Sequence, residues 1–303
     1  MGMVAWVRNY VKMMTKEKWI VNDNDRTRMS DIDAYIKGGR KPWSRGYEES
    51  KFGFVKDVLS DRLLMEKFLV SEQLPKSYGY GYDERVIEYP WTITRLSDKK
   101  GRLLDAGSVF NFDVIVENPR ISGKDFTVFT LAPEPRNYWQ KGISYNYGDL
   151  RELPFRDGWF DEIISLSTLG HVGMNTCMYT KGRTSGKIGL EATKAVKELT
   201  RVLKCGGLFL GSVVFGKHQI IEWSDGSPFA EQFDSRMLED LLAAFSPCSR
   251  ASVSFYKYTD DGWEISTEEA CRDSEYYNIH RAESYEADLA AAARAVALFE
   301  VLK

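Results

Sequence analysis

The stretch Arg102-Leu103-Leu104-Asp105-Ala106-Gly107 decides how the rest of the chain is read. Two adjacent leucines make an apolar strand, an acidic side chain follows, and a glycine closes the segment ahead of Ser108. Such a strand ends at the ligand edge of a parallel sheet. Glycine there lets the backbone approach a ligand closely, because no Cβ intervenes. Asp-x-Gly is common after buried strands, so the reading rests on three downstream segments and their order.

Asp125–Glu134 is a β-branched and aromatic strand halted by Pro133. Gly148-Asp149-Leu150-Arg151-Glu152-Leu153-Pro154-Phe155 is followed by the strand-like run Trp159–Ser167. A helix over Glu191–Leu203, with Ala192, Val196, Leu199 and Leu203 on one face, is stopped by Gly206-Gly207 before the strand Leu208–Phe215.

As an ordered set over residues 100–260, these segments resemble the class I S-adenosylmethionine (AdoMet)-dependent methyltransferases. The shared pieces are the Asp-x-Gly loop, the acid after strand two, the Gly-Asp step after strand three, and Leu-Pro-Phe leading to Phe-Asp. Glu-Leu-Thr-Arg-Val-Leu-Lys-Cys-Gly-Gly before strand five completes the set. Ser167–Gly173 is also similar to a variant in uncharacterised bacterial methyltransferase-like proteins of polysaccharide gene clusters. The resemblance implies an α/β fold, Rossmann-like and doubly wound, with a mostly parallel seven-stranded sheet and an N-terminal helical cap. It divides the chain into a cap and substrate segment (1–97), an AdoMet-binding domain (98–265), and a C-terminal helix packed on the domain (266–303).

The same resemblance implies a site. Asp105 lies near the amino-acid moiety of AdoMet, or is a strand-end acid that caps the next helix. Gly107 presents backbone to the ligand, although Ser108-Val109-Phe110-Asn111 departs from the family's glycine-rich loop. Glu134 lies a few residues past the usual ribose-binding acid, so it either turns back to the ribose diol or stays a solvated loop residue. Asp149 accepts from the adenine amine while the Leu150 N–H reaches a ring nitrogen, or else Asp149 caps a helix after residue 150. Ser167, Thr168 and His171 follow strand four, where methyl group and acceptor meet. His171, with an ordinary pKa near 6.5, is either the catalytic base or part of the cofactor wall. His218 is a second candidate base, and Gly170 stands where the family often has glutamate. Gly173–Gly189 reads as a mobile lid.

The implied activity is methyl transfer from AdoMet to an oxygen or nitrogen nucleophile of a small polar acceptor, such as a sugar. One alternative is a non-catalytic binding or scaffold protein. Another is a nucleotide-dependent oxidoreductase, which the missing Gly-x-Gly-x-x-Gly fingerprint disfavours.

Bulk properties narrow the classes further. The chain has 303 residues, 28% charged and 43% hydrophobic, with a net charge of −3. That balance lacks the basic surface that nucleic acids require. Cys177, Cys205, Cys248 and Cys271 are too widely spaced for a zinc knuckle, so no metal is expected. No signal peptide or membrane-length apolar run is read, and a cytoplasmic location is expected.

In the flanking regions, Val4–Met14 suits a short amphipathic helix and 47–69 a longer one, while Val86–Leu96 leads into the sheet. Residues 216–230 are too long for a plain connection, Phe233–Phe245 suits a helix, and Ala251–Tyr258 with Trp263-Glu264-Ile265 suits a final hairpin. Tyr285, Leu289, Ala292, Val296 and Phe299 form a stripe at helical spacing that reads as core or as a homodimer contact.

Overall fold

A computed structural model describes residues 25–174, 191–248 and 250–303. The expected helix at Val4–Met14, Cys177 and most of the expected lid at Gly173–Gly189 lie outside the described residues.

The N-terminal part is helical: α1 (Asp25–Lys37), α2 (Tyr47–Ser60), α3 (Arg62–Val70) and α4 (Arg85–Arg95). The single helix expected over 47–69 is broken at Asp61. Its backbone is extended, and its side chain accepts from the Leu63 and Leu64 N–H groups to cap α3.

Among the described residues, ten strands come after α4. They are β1 (Arg102–Ala106), β2 (Asp125–Thr130), β3 (Ser144–Tyr147), β4 (Phe160–Leu166), β5 (Leu203–Val214), β6 (Gln219–Glu222), β7 (Pro228–Gln232), β8 (Arg250–Thr259), β9 (Gly262–Ser266) and β10 (Ala295–Leu302). Helices α5 (Glu191–Val202) and α6 (Ser235–Ala243) flank β5 and precede β8. Eight strands form one sheet in the order β3-β2-β1-β4-β5-β10-β8-β9, and β6–β7 form a separate hairpin. The first five in that order are parallel, and β10 runs antiparallel to both its neighbours. The α/β, mostly parallel architecture is as expected, but the sheet has eight strands rather than seven. The eighth is β9, because Trp263-Glu264-Ile265 pairs along Tyr258, Lys257 and Tyr256 of β8.

The sheet is buried on both faces. On one, Val86, Ile87, Trp91 and Ile93 of α4 pack with Leu103, Ile164, Leu210, Val296 and Leu298. On the other, Val196, Leu199 and Val202 of α5 pack with Leu104, Ile163, Phe209, Ala297 and Phe299.

The expected C-terminal helix over 266–303 is wrong. Apart from a single turn at Glu268–Cys271, its described residues are non-helical until β10. Val296 and Leu298 face one core while Ala295, Ala297, Phe299 and Val301 face the other, the two-residue period of a strand. A strand buried on both sides reads as continuous apolar sequence, which mimics a buried helix. Alanine's helix propensity reinforced the misreading, and tertiary pairing overrode it. Of the two readings of the stripe, core holds for Ala292, Val296 and Phe299, which are at most 4% exposed and so offer no dimer contact.

Phe299 stacks on Phe209 and meets Phe245 edge-on. Phe299→Ala should therefore cost about 3–5 kcal/mol in urea melts. Removing residues 295–303 should abolish cooperative unfolding, because β5 and β8 then have no partner between them. A truncated chain melting cooperatively at the wild-type midpoint would contradict a central β10.

Candidate functional site

The carboxyl ends of β1, β2 and β4 open onto a cleft of about 180 Å³. Gly107, Glu134, Asp149, Leu150, Ser167, Thr168 and His171 line it, as do Arg85, Val109, Phe129, Leu131 and Arg151. The fold therefore brings seven of the nine expected site residues to one cavity. Asp105 and Ser108 lie behind its wall.

Asp105 is fully buried and accepts from the backbone N–H groups of Val109 (3.1 Å) and Phe110 (2.7 Å). It therefore caps the turn after β1 and not the next helix, which begins at Asp113 with Phe112 at its N-cap. Burial pushes its carboxyl up to about 7, against the pull of those two hydrogen bonds. Gly107 has φ +131°, and a Cβ there would lie 2.2 Å from Thr168 Oγ1. Glycine is thus demanded by the close packing of the β1 and β4 exit loops.

Glu134 folds back onto the loop after β1. Its Oε2 accepts from Ser108 Oγ (2.9 Å) and Asn111 Nδ2 (3.2 Å), and burial raises its pKa. Asp149 is engaged by Arg151: Oδ1 accepts from the Arg151 backbone N–H and Nε, both at 2.9 Å, and Oδ2 from Nη2 at 2.5 Å. Those hydrogen bonds hold the Asp149 carboxyl below the usual range. A third arm of Arg151 pairs with Glu191 at the start of α5.

Arg85 and Glu88, one turn apart at the start of α4, were not found from sequence. Their i, i+3 spacing of opposite charge was the available signal. Glu88 is fully buried beneath the cleft. It pairs with Arg85 and accepts from Ser167 Oγ (2.6 Å) and from Ser212 Oγ. Ser167 is thereby occupied with structure, at φ 44°. Burial disfavours the Arg85 charge, but Glu88 and neighbouring acidic groups outweigh it and keep the guanidinium cationic.

His171 Nδ1 lies 3.1 Å from the Phe229 carbonyl, with the Phe229 ring packed edge-on against the imidazole. A carbonyl only accepts, so Nδ1 carries the proton and Nε2 is the bare nitrogen. Phe229 belongs to β7, in the segment read only as a long connection. The same hairpin explains Gly170, where a Cβ would stand 2.6 Å from the Glu231 carbonyl oxygen. His218 is outside the cleft lining and pairs with Glu231 through Nε2 (3.0 Å). Among the described residues there is no group of His, Cys, Asp and Glu suited to a metal, and no helix long and apolar enough to cross a membrane.

Residues 122–211 match the family model described as a methyltransferase domain. The match spans β2 to mid-β5 and includes Glu134, Asp149 and His171. No curated protein matches the sequence. Similar solved structures include the YcgJ protein of a Bacillus species (13% identity, 71% of this chain and 97% of that one, TM-score 0.41). An SAM-dependent methyltransferase of Methanosarcina mazei is 14% identical over 70% of this chain and 96% of its own, with TM-score 0.42. A Burkholderia thailandensis 1,6-didemethyltoxoflavin-N1-methyltransferase, solved with S-adenosylhomocysteine, is 13% identical over 91% and 87%, with TM-score 0.41. The stretch from β2 to mid-β5 is thus similar to a methyltransferase domain, and it lies within the mostly parallel part of the sheet.

Burial pulls His171 from 6.5 down to about 4, with the Phe229 carbonyl opposing the shift. Below pH 6.5 the unfolded chain takes up this proton before the folded one does, so stability declines as pH falls toward 4. His171→Phe keeps a ring in place and should make stability less steeply pH-dependent in that window, read from urea midpoints. An unchanged slope would place the acid sensitivity elsewhere.

Proposed function

We propose that this chain is an AdoMet-dependent methyltransferase acting on an oxygen or nitrogen nucleophile of a small polar acceptor, with sugars among the first to test. The observation that carries the reading is the set of polar groups lining the cleft. Glu134 and Asp149 are acceptors suited to a ribose diol and an adenine amine, and the Leu150 N–H lies beside Asp149. Arg85 offers a planar fork for a carboxylate. Leu131, Leu150 and Phe129 supply apolar wall for a base. A dinucleotide fits less well, because a pyrophosphate needs free backbone N–H groups after Gly107. Those of Val109 and Phe110 are taken by Asp105.

AdoMet, when bound, supplies a methyl group already activated on a sulfonium. The chain's part is then to orient the acceptor and take its proton. Thr168 and His171 line the cleft at the exit of β4. His171 Nε2, left bare by the Nδ1 contact to Phe229, can accept a proton from an acceptor hydroxyl or amine. Because its pKa is held near 4, it stays unprotonated through the neutral range.

Isothermal titration should show one AdoMet bound per chain in the micromolar range, about −7 to −8 kcal/mol. Glu134→Ala should weaken it by about 1–3 kcal/mol. His171→Ala should leave binding nearly unchanged while turnover drops by roughly 10²–10⁴. The wild-type rate should lack a limb at 6.5, since the free enzyme's imidazole titrates lower. Heat on titrating NAD, with none for AdoMet, would overturn the reading in favour of an oxidoreductase.

A further inference from the structure

A carboxylate that is to grip a sugar diol must be held by one oxygen and left open at the other. Glu134 meets that condition through a relay spanning three elements. The Tyr138 backbone N–H donates to Tyr145 Oη (2.8 Å). The phenol's single proton is thus directed to Asn111 Oδ1, also at 2.8 Å. This fixes the Asn111 amide: Oδ1 faces Tyr145 on β3, and Nδ2 donates to the Arg136 carbonyl (2.9 Å) and to Glu134 Oε2 (3.2 Å). Asn111 is only 2% exposed. Turned over, it would set Oδ1 against a carboxylate and a carbonyl with no proton to share. Ser108 Oγ donates to the same Oε2. Oε1 has only a long contact from Thr130 Oγ1, at 3.4 Å.

We infer that Tyr145, acting through Asn111, is a positioning residue that presents Oε1 of Glu134 to the ribose hydroxyls of the cofactor. This rests on the AdoMet reading above. It also gives the departures at Ser108 and Asn111 a use. Side chains that replace the glycine-rich pattern serve as donors to an acid arriving late, from beyond Pro133. Ser108 takes up a left-handed backbone (φ 62°) in that arrangement.

The test is calorimetry with S-adenosylhomocysteine and its 2′,3′-dideoxy analogue on wild type, Tyr145→Phe and Asn111→Asp, with thermal melts to establish folding. The wild type should bind the hydroxylated ligand more tightly. Tyr145→Phe keeps the ring and should weaken that ligand about 3- to 10-fold, the range for one lost hydrogen bond, while leaving the dideoxy analogue unaffected. Asn111→Asp sets a second carboxylate against Glu134 and should weaken it further. Equal losses for both ligands would make the relay merely structural and overturn the inference, as would no loss for either. If the wild type binds both ligands equally, the ribose role fails while the cofactor reading stands. If it binds neither, the cofactor reading itself falls and takes the inference with it.

Discussion

The site depends on one buried carboxylate. Asp105 takes the N–H groups of Val109 and Phe110, and so folds the chain back on itself immediately after β1. Without that turn, Ser108 and Asn111 do not reach Glu134, and Gly107 does not close against Thr168. An unpaired acid at zero exposure would be costly. Two backbone donors from the next few residues make it tolerable, and they also remove those donors from any ligand. Asp105 therefore shapes the site from behind.

A second buried acid does similar work beneath the cleft. Glu88 joins Arg85, Ser167 and Ser212, tying the first turn of α4 to the ends of β4 and β5. The N-terminal helices are thereby fastened to the sheet at the same edge where the site opens. Arg85 stays charged there because its counter-ion lies below it, out of solvent. Removing one member of such a group strands the other, so both ends are more sensitive to substitution than surface pairs are.

Much of this was legible in the chain. Strand-end acids and glycines announced β1 to β5, because parallel strands with short exits leave local marks. The cavity residues sit on those exits. What escaped was non-local. Nothing in the run Ala290–Val301 says whether its apolar residues face one core or two, and only pairing with β5 and β8 made it a strand. Gly170 and His171 read as a motif variant until β7 arrived beside them. Asp149 carried the expected residue type at the expected step. Its partner Arg151, two residues on, could not be told from an ordinary loop arginine.

The placement of β10 has a kinetic consequence. Its partner Val214 lies about 80 residues before Val296, and the β8–β9 hairpin is made in between. The five parallel strands and that hairpin are therefore two half-sheets until β10 slides in as the wedge that welds them. Until then β5 offers an open row of backbone donors and acceptors, the kind of edge on which partly folded chains recruit one another. A closing strand this distant in sequence is slow to find its slot. Residues 295–302 are thus what covers the β5 edge and guards the sheet against such association.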